Sequence, residues 1–144
     1  MNTKLLFVVF AALVLSSCAS VPGPSSTEPL PVGSDNNAIV ALVQNAREDA
    51  AAGRLDIARD RLERALRIEP RNPTLWHELA RVTLYQGQPE QAVQMANKSN
   101  TFVGKNTTLR ASNWRLIGQA RTQSGDQDGA ESAFDRAAQI ERER

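Results

Sequence analysis

The sequence predicts an all-α fold in which three helical hairpins stack into a right-handed superhelix, and three observations predict it. From Ala38 onward the chain is rich in Ala, Leu, Arg, Glu and Gln, with apolar residues at helical spacing. Small and apolar landmarks recur in phase. Gly53, Gly87 and Gly125 stand 34 and 38 residues apart, and the sets Ala58, Ala92, Ala130 and Ile68, Phe102, Ile140 repeat the same two separations. Trp76 and Trp114 lie 38 residues apart, in phase with the rest. Repeats of this length denote arrays of supersecondary units, each of which buries its apolar face against its neighbour.

Each landmark has a physical role. Trp and Leu on the first helix of a hairpin fill the space between it and the second. Ala80 and Gly118 sit where two helices approach closely. The glycine between the helices permits a positive φ at the end of the first helix. The alanine that follows lets the second helix cross at short distance. Pro70 closes a helix, Asn72 caps the next one with Pro73 in its first turn, and Asp126 is placed to cap the last.

These residues resemble the tetratricopeptide repeat (TPR). The second repeat reads Trp76-x-x-Leu79-Ala80, then Gly87, then Ala92. The third reads Trp114-x-x-Ile117-Gly118, then Gly125, Ala130 and Phe134. The first is weaker at its start, with Leu42, Asn45 and Ala46, and strong at its end, with Gly53, Ala58, Leu62, Ala65 and Pro70. The resemblance divides the TPR domain, residues 38–144, into repeats at about 39–72, 73–106 and 111–144, with four residues inserted before the third. The insertion is expected as a loop, roughly Asn100 to Leu109.

The N-terminus reads as an address. Lys4 precedes an unbroken apolar run from Leu5 to Leu15. That run is shorter than the roughly 20 residues a spanning helix needs, and has the length of a signal-peptide core. Leu15-Ser16-Ser17-Cys18 resembles the lipobox of bacterial lipoproteins. The resemblance implies a signal peptide over 1–17 and a covalent lipid on Cys18, the only cysteine in the chain. Two or three acyl chains anchor stably where one does not. Ala19 in place of Asp points to the outer membrane rather than the inner. Residues 18–37 are expected as a Pro/Ser-rich, disordered tether. Its 17 residues from Ala19 to Asp35 reach at most about 60 Å.

Charge and composition exclude several classes. Of the 17 basic side chains Lys4 alone leaves with the signal peptide, so 16 basic face 16 acidic ones and no basic field attracts nucleic acid. His77 is the single histidine, and Pro73 and Arg81, one turn either side of it, are not metal ligands. With no phosphate loop and no recognisable triad, neither catalytic residues, nor a metal, nor a cofactor beyond the lipid is expected.

The TPR resemblance implies a concave groove lined by the first helix of each repeat. Carried onto this chain, its outward positions include Val43, Arg47, Thr74, His77, Arg81, Leu84, Tyr85, Ser112, Arg115 and Gln119. Arg47, Arg81 and Arg115 form a ladder suited to carboxylate contacts, and Tyr85 offers a large surface at low entropic cost. A protein partner with acidic character is the expected occupant of a site at Arg47, His77, Arg81, Tyr85, Arg115 and Gln119. A second basic patch, Lys98, Lys105, Arg110 and Arg121, lies in the acid-free stretch between Gln91 and Gly125 and is open to peptidoglycan, anionic lipid or an acidic protein.

A signal peptide, lipobox, Pro-rich tether and short C-terminal TPR domain together resemble the outer-membrane lipoprotein activators of class A penicillin-binding proteins. The stretches LWHELARVTLYQGQ and ASNWRLIGQARTQSGD look like the TPR segments of that group. The resemblance implies a module that reaches through the cell wall and stimulates a peptidoglycan synthase. A pilotin-like or outer-membrane assembly factor, or an adaptor for a wall hydrolase or protease, are the alternatives.

Overall fold

The computed structural model describes residues 29–143; the expected signal peptide, Cys18 and the tether up to residue 28 lie outside the described residues. Six helices follow in order: α1 (Asn37–Ala51), α2 (Leu55–Ile68), α3 (Pro73–Tyr85), α4 (Pro89–Phe102), α5 (Thr107–Ser124) and α6 (Gln127–Arg142). They pair as hairpins α1–α2, α3–α4 and α5–α6, and α2 packs on α3 and α4 on α5, which is the stacking the repeat predicts.

One turn recurs within all three hairpins. Gly53, Gly87 and Gly125 have φ of 76°, 75° and 86°. The residue after each glycine donates its N–H back across the helix end, Arg54 to Asp49 O at 2.8 Å, Gln88 to Thr83 O at 3.2 Å and Asp126 to Arg121 O at 2.9 Å. The left-handed glycine thus satisfies the carbonyls that a helix C-terminus leaves open. The turns between hairpins end differently, on Asn caps. Asn72 Oδ1 accepts from Thr74 N at 2.9 Å, and Asn106 Oδ1 from Leu109 N at 3.0 Å.

The four inserted residues do not form the expected loop over 100–109. Helix α4 runs on to Phe102, and α5 begins at Thr107 behind the Asn106 cap. At 3.6 residues per turn the insertion is absorbed as one extra helical turn, which makes α5 the longest helix described at 18 residues.

The core lies along the hairpin interfaces. Ile39, Val43, Leu62, Leu75 and Leu79 join the first hairpin to the second, and Ala80, Ala92, Ala96, Leu116 and Ile117 join the second to the third. The close approach of paired helices is set by a complementary couple. In the third repeat it is Gly118 with Phe134, and the equivalent positions hold Ala46 and Leu62 in the first repeat and Ala80 and Ala96 in the second, each pair buried in one core cluster. A Cβ on Gly118 would come within 2.6 Å of the Phe134 ring, so the glycine makes room for the larger partner.

Candidate functional site: the concave groove

The first helices, α1, α3 and α5, line one side of the stack and present the groove positions. Arg47 and Arg81 meet there, but on a shared buried anion. The Glu78 carboxylate accepts from Arg47 Nη2 at 2.6 Å and Nε at 2.9 Å, and from Arg81 Nη1 at 2.9 Å. Glu78 is 3% exposed. Breaking either contact would leave a buried charge poorly compensated, which is where such pairs cost most. Burial works against the Arg81 charge, yet Glu78 and the Tyr85 hydroxyl outweigh it and hold the guanidinium above its ordinary range. The same guanidinium lies over the Tyr85 ring, 6.0 Å from its centroid. Arg47, Glu78, Arg81 and Tyr85, with Ala46, Ala50, Leu62 and Val82, enclose a small recess between α1 and α3.

This geometry changes the expected ladder. Arg47 has its charge turned inward, with a side chain 19% exposed. Arg81 is partly exposed, and Tyr85, at 58%, is the most open aromatic of the groove. Arg115 and Gln119 on α5 are exposed, and Arg115 pairs with Glu141 of α6. The surface that remains for a partner is therefore Arg81, Tyr85, Arg115 and Gln119, and much less cationic than the sequence suggests.

His77 does not face the groove. It is 5% exposed, and its Nδ1 lies 2.7 Å from Asn113 Oδ1 on α5. The amide nitrogen of Asn113 donates to Ser99 Oγ at 2.8 Å and Asn100 Oδ1 at 2.9 Å, and Ser99 Oγ donates to Pro73 O at 2.8 Å. With its amide nitrogen so committed, Asn113 can only accept from the ring, so the hydrogen sits on Nδ1 of a neutral imidazole. Burial is the main cause that pushes the His77 pKa below its ordinary value, with help from the Arg81 and Arg47 charges and against Glu78 and the Asn113 bond. His77 thus joins hairpins rather than meeting a partner. Val43, Thr74 and Leu84, also expected to face outward, are buried as well.

The Pro-rich segment supplies a contact that sequence reasoning missed. Residues 30–32 run beside α1 and the start of α3. Leu30 O accepts from Arg47 Nη2 at 2.7 Å, Pro31 O from Thr74 Oγ1 at 3.1 Å, and Val32 O from Asn72 Nδ2 at 3.1 Å. Ser34 Oγ donates to Glu69 at 2.6 Å, and Val32 packs on the core of the first two hairpins. Backbone carbonyls carry three of these four bonds, and a carbonyl is the same in every residue type, so composition alone could not reveal them.

The second basic patch is only partly assembled. Lys98 and Lys105 are exposed near the turn between α4 and α5. Lys98 lies 5.2 Å from the Phe102 ring centroid, and Arg71 shares that ring at 5.5 Å. Arg110 bonds back to Gly104 O and ties the turn. Arg121 lies at the other end of α5, where it donates to Gly129 O at 2.9 Å and pairs with Asp126. Arg71 joins the cluster in its place. Among the described residues no group of His, Cys, Asp or Glu could hold a metal ion, and no helix is long and apolar enough to cross a membrane.

Residues 49–100 match the tetratricopeptide repeat family. The globular C-terminal domain of LpoP from P. aeruginosa is similar in structure, with a TM-score of 0.70 and 37% identity over 72% of this chain and 97% of that one. The Sgt2 TPR domain from Aspergillus fumigatus shares the fold, with a TM-score of 0.66 and 24% identity over 74% of this chain and 68% of that one. No curated protein sequence matches.

Proposed function

The chain belongs to the tetratricopeptide-repeat family, in the group represented by the C-terminal domain of LpoP, and from that premise we propose that it is a periplasmic interaction module on an outer-membrane lipid anchor that stimulates a class A penicillin-binding protein. The observation that carries the reading is the 37% identity across 97% of the LpoP domain. The lipobox and tether that precede the domain support the anchor, and the resemblance to synthase activators supports the partner. A TPR groove is a protein-binding surface, so the partner is read as a protein. Within the groove, Arg81, Tyr85, Arg115 and Gln119 are the residues proposed to meet it, Tyr85 as the aromatic anchor.

Polymerisation of peptidoglycan by the organism's own class A synthases, with and without the full chain in detergent, tests the proposal. Stimulation is expected, and Tyr85→Ala with Arg115→Ala should reduce it at least about tenfold while helicity is unchanged. A folded chain that stimulates no synthase would move the reading to an assembly factor or adaptor. The cluster of Arg71, Lys98 and Lys105 is proposed to rest on anionic wall polymer. Co-sedimentation with purified peptidoglycan should be lost in the Lys98→Glu, Lys105→Glu chain.

A further inference from the structure

The strap formed by residues 30–34 lies on the first part of the groove. Its three consecutive carbonyls are each taken by a side chain of a different element, Arg47 on α1, Thr74 on α3 and Asn72 in the turn before α3. Val32 fills an apolar contact against the core, and Gly33, with φ 64°, turns the chain toward the Asn36 cap of α1. Pro29 and Pro31 have no N–H to leave unsatisfied, and they hold the segment extended before it docks. Arg47 serves the strap while its charge is spent on Glu78. The donors at this place are therefore matched to neutral carbonyls rather than to carboxylates.

We propose that the strap is an internal occupant of the groove, holding the place of an extended, uncharged, proline-containing segment of the partner, which binds by displacing it. This rests on reading the groove as the partner face. The occupant is defined by the contacts the strap makes: two or three successive carbonyls for Arg47, Thr74 and Asn72, and an aliphatic side chain where Val32 sits. The segment would continue from there past Arg81 and Tyr85 toward Arg115 and Gln119. A strap tethered to its own site competes at an effective concentration in the millimolar range. A partner segment with only the strap's contacts is thus excluded, and those further contacts tip the exchange. Displacement also frees residues 30–35 from the domain, so that capture of a partner lengthens the link between the domain and the N-terminal part of the chain.

The test uses a labelled synthetic peptide of residues 28–34 as the probe, and the full chain in detergent with two variants that release the strap. One is Val32→Asp. The other replaces residues 29–33 with Gly-Ser-Gly-Ser-Gly, which leaves every helix residue in place. Fluorescence anisotropy should show the peptide binding both variants at least about tenfold more tightly than the wild type, whose competent fraction is small. Adding Thr74→Val, which removes one of the three donors and no charge, should weaken that binding. Equal affinity for wild type and variants would overturn the proposal. So would no binding up to several millimolar by the glycine–serine variant with wild-type helicity, since the strap itself would then have no affinity for the groove. No synthase enters this assay, so its failure is separate from failure of the activator reading.

Discussion

Replacing Gly118 by Ala should destabilise the domain although alanine is the better helix former, and the sign should reverse when Phe134 is also replaced. The added Cβ would stand 2.6–2.8 Å from three atoms of the Phe134 ring, where carbon atoms prefer about 3.5–4.0 Å. The ring must move by about 1 Å or swing away from α5. Overpacking of this kind costs about 1–3 kcal/mol. The exchange of glycine for alanine within a helix returns about 0.8–1.0 kcal/mol. The balance is a loss of about 1 kcal/mol, or about 4–8 °C in Tm for a domain of this size. In a Phe134→Ala chain no ring stands in the way, and with Gly118→Ala the two positions then carry the same residues as their equivalents Ala80 and Ala96 in the second repeat. There Gly118→Ala should stabilise by about 1 kcal/mol, so the coupling between the two sites is about 2 kcal/mol. Urea unfolding of the four chains, followed by far-UV circular dichroism, measures it. Stabilisation of similar size in both backgrounds would refute the argument that ring volume dictates the glycine.

Other expectations follow from the polar contacts. His77 has its pKa lowered in the folded state, so the unfolded chain takes up a proton first. Stability is then full above about 6.5, the ordinary histidine value, and falls as pH drops toward the folded value. Because His77 is the only histidine, a His77→Gln chain should lose this slope between pH 7 and 5 in urea titrations. Asp49 is held below its ordinary range by the Arg61 and Arg54 guanidiniums, so its stabilisation is present near neutrality and lost only as pH falls below about 3.8. An Asp49→Asn chain should accordingly be less stable at pH 7 and flatter in its acid limb. Asn72→Ala removes the α3 cap, worth about 1 kcal/mol, and one strap contact, so it should cost more than Asn106→Ala, which removes a cap alone.

The hairpins were legible because each carries residues that no other geometry needs at that spacing, such as the glycine of each left-handed turn and the small residue at Ala46, Ala80 and Gly118. The Asn72 and Asp126 caps were legible too, since both stand directly before a helix. Three things were not. Assignment of His77, Val43 and Thr74 to an open face follows from their position in the repeat, and position ignores what lies on that face. Here Asn113 reaches His77 and the strap covers Thr74. The insertion before the third repeat reads as a loop if only landmarks are counted, whereas Asn106 before Thr107 is a cap that already marks a helix start. Neutralisation of the arginine ladder was half visible, because Glu78 and Arg81 are three residues apart and meet on one helix face. The Arg47 contact needs the packing of α1 on α3.

The strap also decides how the domain carries mechanical load. Any pull from the N-terminal side reaches the folded part first at Leu30, not at the start of α1. From Leu30 it is shared among Arg47, Thr74 and Asn72, so tension enters the first and second hairpins together. Without the strap the same tension would arrive at the Asn36 cap alone and peel α1 turn by turn from its weakest end. If a lipid holds Cys18, the strap works as a strain relief, and the thirteen residues from Cys18 to Leu30 set a reach of at most about 47 Å between the anchor and the first point of load.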